Sequence, residues 1–442
     1  MSIIFIRNPL GKINFGSILV YCYDIIFSKL SRGGLLLKRS GKNRFIAFID
    51  PALFINGMIF LNINTVVPYF LISLSASNFH ISFANFLVTL GSFLPSLFVA
   101  RFVQRLKLKA KIFAKLLFVQ RISFLLFSLI LPFLIKNFDN SFTIYAFLFF
   151  YGIFNMFVGT YGPFYFSIIN KIIPYSERGK IIGRGSALGN LVAILTTYVL
   201  NLYLTRFSFP YNFVLIFSTG MIILLVDALL FYIIDEPEDE TIEDSISLKT
   251  FLLNAFSSLK KDSNFKNLVF SLIFLGLSLT SISYFIVYAT KSFKGYNFVT
   301  IFNLVAITVS IIGNYILGEL TRILGYKETL SLGMVLGILG LFLTLIFKNI
   351  YFLLSGFALL NLTFVSNILT SGFLITSISP KEELPVYLAV SNTLTMFLSS
   401  IMHILNGFII NYIGFDALFW LSLGFLVVSL FSIGRVVITS TS

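Results

Sequence analysis

Apolar runs of 20 or more residues recur along this chain, separated by short polar breaks. A helix rises 1.5 Å per residue, so about 20 residues cross a hydrocarbon core of about 30 Å. The pattern predicts twelve spanning helices, over 45–73, 79–104, 111–135, 142–170, 179–205, 211–234, 266–290, 296–320, 328–347, 351–378, 384–412 and 415–437. One long polar connection lies between the sixth and seventh, opening "DEPEDETIEDS", whose acidic cluster reads as solvated charge. The chain therefore divides into a basic N-terminal tail (1–43), a six-helix half (44–235), a cytoplasmic linker (236–264) and a second six-helix half (265–442). The fold class is all-α integral membrane, two bundles of six. Within the tail, "INFGSILVYCYDIIF" is short and interrupted by Asp24, and reads as an interfacial segment or a cytoplasmic tail.

The polar residues inside the spans are periodic. On the eleventh, Asn392, Thr395, Ser399, His403 and Asn406 fall within about 80° of one another at 100° per residue. The second carries Asn85, Thr89, Ser92 and Ser96; the fifth Ser186, Asn190, Thr197 and Asn201; the eighth Asn303, Ser310 and Asn314. Polar residues also mark the first (Asn56, Asn62, Asn64), fourth (Tyr151, Asn155), seventh (Ser281, Tyr284, Tyr288) and tenth (Thr363, Ser366, Asn367), with proline or glycine breaks in the first and fourth. The third, sixth, ninth and twelfth have no interior asparagine. In lipid such side chains face protein or water. Eight helices are thus expected around a water-accessible path, with Asn56, Asn64, Asn155, Tyr284, Tyr288, Asn367, Asn392, Ser399 and His403 as solute-contacting candidates. The competing reading is a set of interhelical hydrogen bonds worth about 0.6 to 2 kcal/mol each.

Composition agrees with a lipid setting. The chain is 57% hydrophobic and 11% charged, against about 25% charged in soluble domains. Its net charge of +14 is a matter of topology rather than of nucleic acid. With the N-terminus inside, 26 of the 32 Lys and Arg fall on the cytoplasmic side and five outside, while Arg121 lies within the third helix. That skew predicts cytoplasmic termini and a multi-pass protein of the cell membrane. One cysteine and two histidines argue against a disulfide or a metal centre, and no phosphate-binding loop is present.

The halves also look alike. "IPYSERGKIIG" (173–183) and "SISPKEELPVYLA" (377–389) align Pro174 with Pro380 and Glu177 with Glu383. "VARFVQRLKLK" (99–109) and "LTRILGYKE" (320–328) both place an arginine, Arg101 or Arg322, where a helix leaves the membrane. Two matches at offsets near half the chain indicate internal duplication. In the fifth span, Gly179 with Gly183 and Gly185 with Gly189 are spaced for close helix approach at its cytoplasmic end.

These loops, with twelve helices in two sixes, resemble the major facilitator superfamily of secondary transporters. In "GELTRILGYK", Gly318, Leu320, Gly325 and Lys327 match the family's motif after the eighth helix, and the copy after the second is more degenerate. Arg101 and Arg322 stand where the family has an acidic latch residue; Glu319 is a candidate substitute. The resemblance implies that the oily helices lie at the periphery. It also implies gating contacts at Arg101, Glu177, Arg178, Gly179, Gly318, Glu319, Arg322, Gly325, Lys327 and Glu383.

Three embedded ionisable features remain. Arg121 and Asp227 sit at similar depth, which permits a structural ion pair or a transport role. His403 and Asp50 are coupling candidates, with packing and helix-start roles as their alternatives. The expected activity is secondary active transport of a small solute, with H+ or Na+ as candidate coupling ions, by a non-enzymatic monomer in the lipid bilayer without a cofactor. Export of an amphipathic compound is favoured over uptake of a sugar or other neutral solute; a non-transporting receptor or scaffold is the alternative class. The orientation is testable in a Cys22→Ser background. Lys294→Cys and Lys348→Cys should react with an impermeant thiol reagent on intact cells, whereas Lys107→Cys and Lys327→Cys should react only after permeabilisation. The opposite pattern would reverse the topology.

Overall fold

The computed structural model describes residues 35–238, 262–295, 297–380 and 383–437, and it is all-helical among them. The tail through residue 34 and the linker over 239–261 lie outside the described residues. Twelve rods run back and forth among the described residues. The first is Leu35–Ile59 with Val66–Ser73, the second Asn78–Gln104, the third Ala110–Asn137, and the fourth Asn140–Val158 with Tyr161–Ile172. Tyr175–Arg206 and Tyr211–Tyr232 complete the first half. The seventh is Ser263–Leu279 with Ile282–Ser292, followed by Phe298–Ile323, Tyr326–Ile346, Ile350–Ile378, Leu384–Tyr412 and Phe415–Gly434. Among the described residues ten rods are long and apolar enough to cross a membrane by length and composition. The first rod starts earlier than its hydropathy suggests. Lys42 and Asn43 bind Asp235, and Arg44 binds Glu177, so residues belonging by sequence to the tail are helical and tied to the bundle.

Three rods are broken, and each break has its own cause. In the first, the Asn62 carbonyl gathers the amides of Thr65, Val66 and Val67, and Pro68 then sits in the opening turn of the next segment, where its missing N–H is tolerated. In the fourth, Gly159 lies against the Gly91 carbonyl with no room for a Cβ, and Pro163 follows in the new first turn. The seventh has neither Gly nor Pro at its break. There Thr280 and Ser281 hydroxyls donate to the carbonyls of Leu277 (2.6 Å) and Ser278 (2.8 Å), and the Asn406 amide donates to Thr280 Oγ1 (2.9 Å). Side chains thus replace helix bonds, as membrane-buried irregular backbone requires.

Packing repeats from one half to the other. The first rod packs on the fifth and sixth, the second on the fourth and the third on the sixth; in the same order, the seventh packs on the eleventh and twelfth, the eighth on the tenth and the ninth on the twelfth. The halves meet through two equivalent pairs, second against eleventh and fifth against eighth, with the first touching the seventh on the axis. The duplicated loops share geometry as well as sequence: Glu177 N–H donates to the Pro174 carbonyl (3.0 Å) and Glu383 N–H to the Pro380 carbonyl (3.1 Å). Lipid removes the usual hydrophobic driving force between helices, so tight contact matters most. Phe70, Phe147, Phe213 and Phe217 interlock at ring separations of 4.9–6.0 Å in the first half.

The two glycine pairs of the fifth rod differ. Gly185 sits on the Phe48 carbonyl and Gly189 on Ala52 Cα, which lets the first and fifth rods touch backbone to backbone. Gly179 and Gly183 face open space, so the expected tight packing at that end is confined to the deeper pair. Overpacking costs about 1–3 kcal/mol. Gly185→Val should lower the thermal unfolding midpoint of the purified protein by several degrees, whereas Gly179→Ala should leave it unchanged. Equal midpoints for the two variants would contradict the backbone contact.

Candidate functional site

The rods' directions define two ends: a terminal end, bearing the N-terminus of the first rod and the C-terminus of the twelfth, and a far end. The hydrogen bonds that join the halves gather toward the far end. Asn62 Nδ2 and Thr65 Oγ1 both donate to Asn303 Oδ1, at 3.1 and 2.9 Å. Ser283 Oγ lies 2.5 Å from Asn64 Oδ1 and 2.7 Å from Asn85 Oδ1. Ser82 and Tyr284 hydroxyls bond at 2.6 Å. Asn78 donates to Asn411 (2.8 Å) and accepts from Lys291 Nζ (2.6 Å), and Asn201 accepts from Asn297 (2.7 Å) and Thr300 (3.0 Å). These five rod pairs and their amides and hydroxyls form a polar lock inside an apolar protein. Gly407 tightens it by lying against Ser82 and Phe79.

At the terminal end, the described ion pairs stay within their own half. Arg44 pairs with Glu177 at 3.0 Å, Lys42 with Asp235 at 3.2 Å and Lys171 with Glu236 at 2.7 Å. Glu236 also accepts from the backbone amides of Lys109 and Ala110 (2.6 and 2.7 Å), satisfying the start of the third rod. The opening of the acidic cluster, expected to be solvated, is thus structural: Asp235 and Glu236 fasten the end of the sixth rod to the first and third. Arg322 pairs with Glu319 on its own helix, so Glu319 holds no ion-pair partner across the seam among the described residues. Gly318, like Gly179, meets open space. Arg178 donates to the carbonyls of Ile173 and Asn170, and Lys327 to those of Val436 and Gly434. Gly325 adopts φ +95° where the ninth rod begins, a conformation favouring glycine. The side chain of Arg101 lies outside the described residues.

Inside the first half lies a cavity of about 410 Å³. Arg121 donates to Asp227 Oδ2 at 2.8 Å and to the Leu224 carbonyl, with both ionisable side chains almost fully buried. Asp50, 6% exposed, lines the same cavity as Asp227 and Tyr165. Tyr161 adds its hydroxyl, which donates to Gln120 Oε1 (2.6 Å), and Gln120 is held in turn by the Phe154 carbonyl (2.7 Å). Sequence periodicity has no means of singling out Tyr161 and Tyr165, because aromatic residues abound throughout these helices.

Other predicted residues have diverse surroundings. Asn56 binds the Ala52 and Gly189 carbonyls and accepts from Thr196, joining the first and fifth rods. Asn155 binds the Tyr151 carbonyl beneath Gly91. Tyr288 packs among Phe293, Phe415 and Phe419. Ser399 is buried near Gly276, Asn367 is half-buried and Asn392 is exposed. His403 is buried, and its Nδ1 has no protein hydrogen-bond partner. Glu383 stands before the eleventh rod, where the aligned Glu177 lies in the first turn of the fifth.

No curated protein matches the chain by sequence. Solved structures of similar fold include the nucleoside transporter NupG, 14% identical, with 90% of this chain and 98% of that one covered and a TM-score of 0.62. A bacterial homologue of the iron transporter ferroportin in an inward-facing state is 11% identical, with 91% and 99% covered and a TM-score of 0.67. A point-substituted form of the E. coli fucose:proton symporter FucP is 16% identical, with 90% and 98% covered and a TM-score of 0.59. The family model described as Major Facilitator Superfamily matches residues 49–322 and 298–440. Two equivalent six-helix halves, a polar seam between them and a family match over nearly the whole length lead to one assignment: the chain belongs to the Major Facilitator Superfamily, a family of secondary transporters.

Proposed function

We propose that this protein is a secondary active transporter that moves a small solute by alternating access of its two halves, exporting an amphipathic compound. The observation that carries this reading is the lopsided seam. Polar side chains lock the halves toward the far end, whereas Gly179 and Gly318 meet open space at the terminal end. With the termini cytoplasmic, as the Lys and Arg skew favours, this is an inward-facing arrangement that loads from inside the cell. The far-end bonds are numerous and individually weak, about 0.6 kcal/mol on average in membrane helices, so a solute can shift the balance between two closed ends. The similar folds that are named as nucleoside, fucose and iron carriers support transport in general. Aromatic lining of the first-half cavity supports an amphipathic solute rather than a sugar. Asp50 is the favoured coupling residue, since it shares a cavity with a second buried carboxyl, with His403 the other candidate and H+ or Na+ the coupling ion.

Asn303 is the clearest test of the lock, because one side chain receives two donors from the other half. Asn303→Leu removes both bonds, worth together about 1 kcal/mol, which is roughly a fivefold shift in population. Hydrogen exchange of the amides in 62–67 should accelerate by about that factor. Unchanged exchange would mean that the far end does not open. In liposomes, a variant so shifted should change the rate of solute flux, whereas a receptor or scaffold would show no flux with either form.

A further inference from the structure

The cavity in the first half is more than a gap beside an ion pair. Its charges do not balance. Arg121 is the one cation among the residues lining it, and Asp50 and Asp227 are the two acids. Arg121 is committed to Asp227 Oδ2 and to the Leu224 carbonyl. Asp227 Oδ1 has no protein donor, and Asp50 is a second acid lining the same cavity. Two carboxylates sharing one cavity inside a membrane protein repel unless a positive charge offsets them. The cluster therefore calls for one positive charge beyond Arg121.

The walls indicate what shape of cation fits. Five aromatic rings follow one another around the cavity. Phe54 meets Tyr161 at 5.7 Å, Tyr161 meets Phe113 at 5.6 Å, Phe113 meets Phe231 at 5.0 Å, and Phe231 meets Tyr165 at 6.2 Å. All five rings line the same space as the acids. Rings present a negative face to a cation, and about 410 Å³ is within the range of small-molecule pockets, far beyond the needs of an inorganic ion. Ile182 and Ser186 of the fifth rod complete the lining, next to the part of that rod that is open at the terminal end. The lining suits an ammonium head seated on the acids with an apolar body among the rings.

We propose that the cavity formed by Asp50, Arg121, Asp227 and the ring of Phe54, Phe113, Tyr161, Tyr165 and Phe231 binds a lipophilic amine as its ammonium cation. This names the solute class of the carrier described above and rests on that reading. In this proposal the empty cavity carries one proton on its pair of acids. When the ammonium binds, that proton leaves to solvent and the amine's positive charge takes its place, so charge is conserved and one proton is exchanged per amine. The titratable and charged groups facing the pair are Arg121 from the third rod, Tyr161 and Tyr165 from the fourth, and the two acids themselves from the first and sixth; the fifth contributes no ionisable group to the lining.

The test uses purified full-length protein and 2-phenylethylamine, with calorimetry at neutral pH in two buffers of different ionisation enthalpy. Binding with release of about one proton per amine is expected, together with failure of the neutral analogue 2-phenylethanol to release any. Asp50→Asn should weaken binding by roughly thirtyfold or more, as loss of one partner from a buried charged pair does, and should release no proton. Gly162 lines the cavity, and a Cβ there meets open space, so Gly162→Leu fills the volume without touching the acids. It should abolish amine binding even if the Asp50 variant fails to fold. Amine binding without proton release, binding unaltered by Gly162→Leu, or equal displacement of the proton by Na+ alone would overturn the amine site. Because binding needs no gradient or flux, such a result leaves the carrier reading standing. Failure of the halves to alternate, with amine binding intact, would instead remove the carrier and keep the site.

Discussion

A polar side chain inside a bilayer must find its partner within the protein. That constraint organises the molecule. Its phenylalanine-rich helices offer lipid an apolar surface on nearly every side, so amides and hydroxyls are driven to the surfaces where helices meet. The densest meeting lies between the halves. Asn62 and Thr65 of one half converge on the Asn303 oxygen of the other, and nearby Asn78 donates to Asn411 while accepting from Lys291. Such bonds specify which surfaces face each other while contributing little energy apiece. A seam assembled this way holds its register and still comes apart at modest cost.

The same constraint treats charge more severely. Arg121 and Asp227 could be buried only together, and their pairing leaves Asp50 as an additional acid in the same cavity. Around it stand five aromatic rings, with Ile182 and Ser186 of the fifth rod completing the lining. The first half therefore combines a fixed scaffold, sewn by Asn56 and the Gly185–Phe48 contact, with a cavity lined by two acids and one cation. The second half contributes the opposing face of the seam and a hinge-like interruption at Thr280 and Ser281, held by Asn406.

Much of this architecture is legible in the residues. The twelve spans follow from run length, and the duplicated proline–glutamate turns follow from two aligned loops. Asn85, Asn201 and Asn303 are visible as stripes. What a stripe cannot reveal is which neighbour it faces. Asn56 and Asn303 look alike in sequence, yet one sews two rods of a single half together and the other bridges the halves. The break in the seventh rod is hidden because serine and threonine hydroxyls, not glycine or proline, make it. Glu236 reads as solvated because two of its partners are the backbone amides of Lys109 and Ala110, which carry no side-chain signal, and the third, Lys171, lies 65 residues away in sequence. Tyr161 and Tyr165 are obscured by the abundance of aromatic residues around them.

The central claim is that the seam closes at one end at a time. Pulsed electron spin resonance on two label pairs addresses it directly: Lys180 with Arg322 at the terminal end, and Thr205 with Lys294 at the far end, all on exposed positions. Across changes of pH and added solute, the account predicts two populations in which one distance shortens as the other lengthens. A single fixed pair of distances under every condition, or two distances that lengthen together, would contradict it.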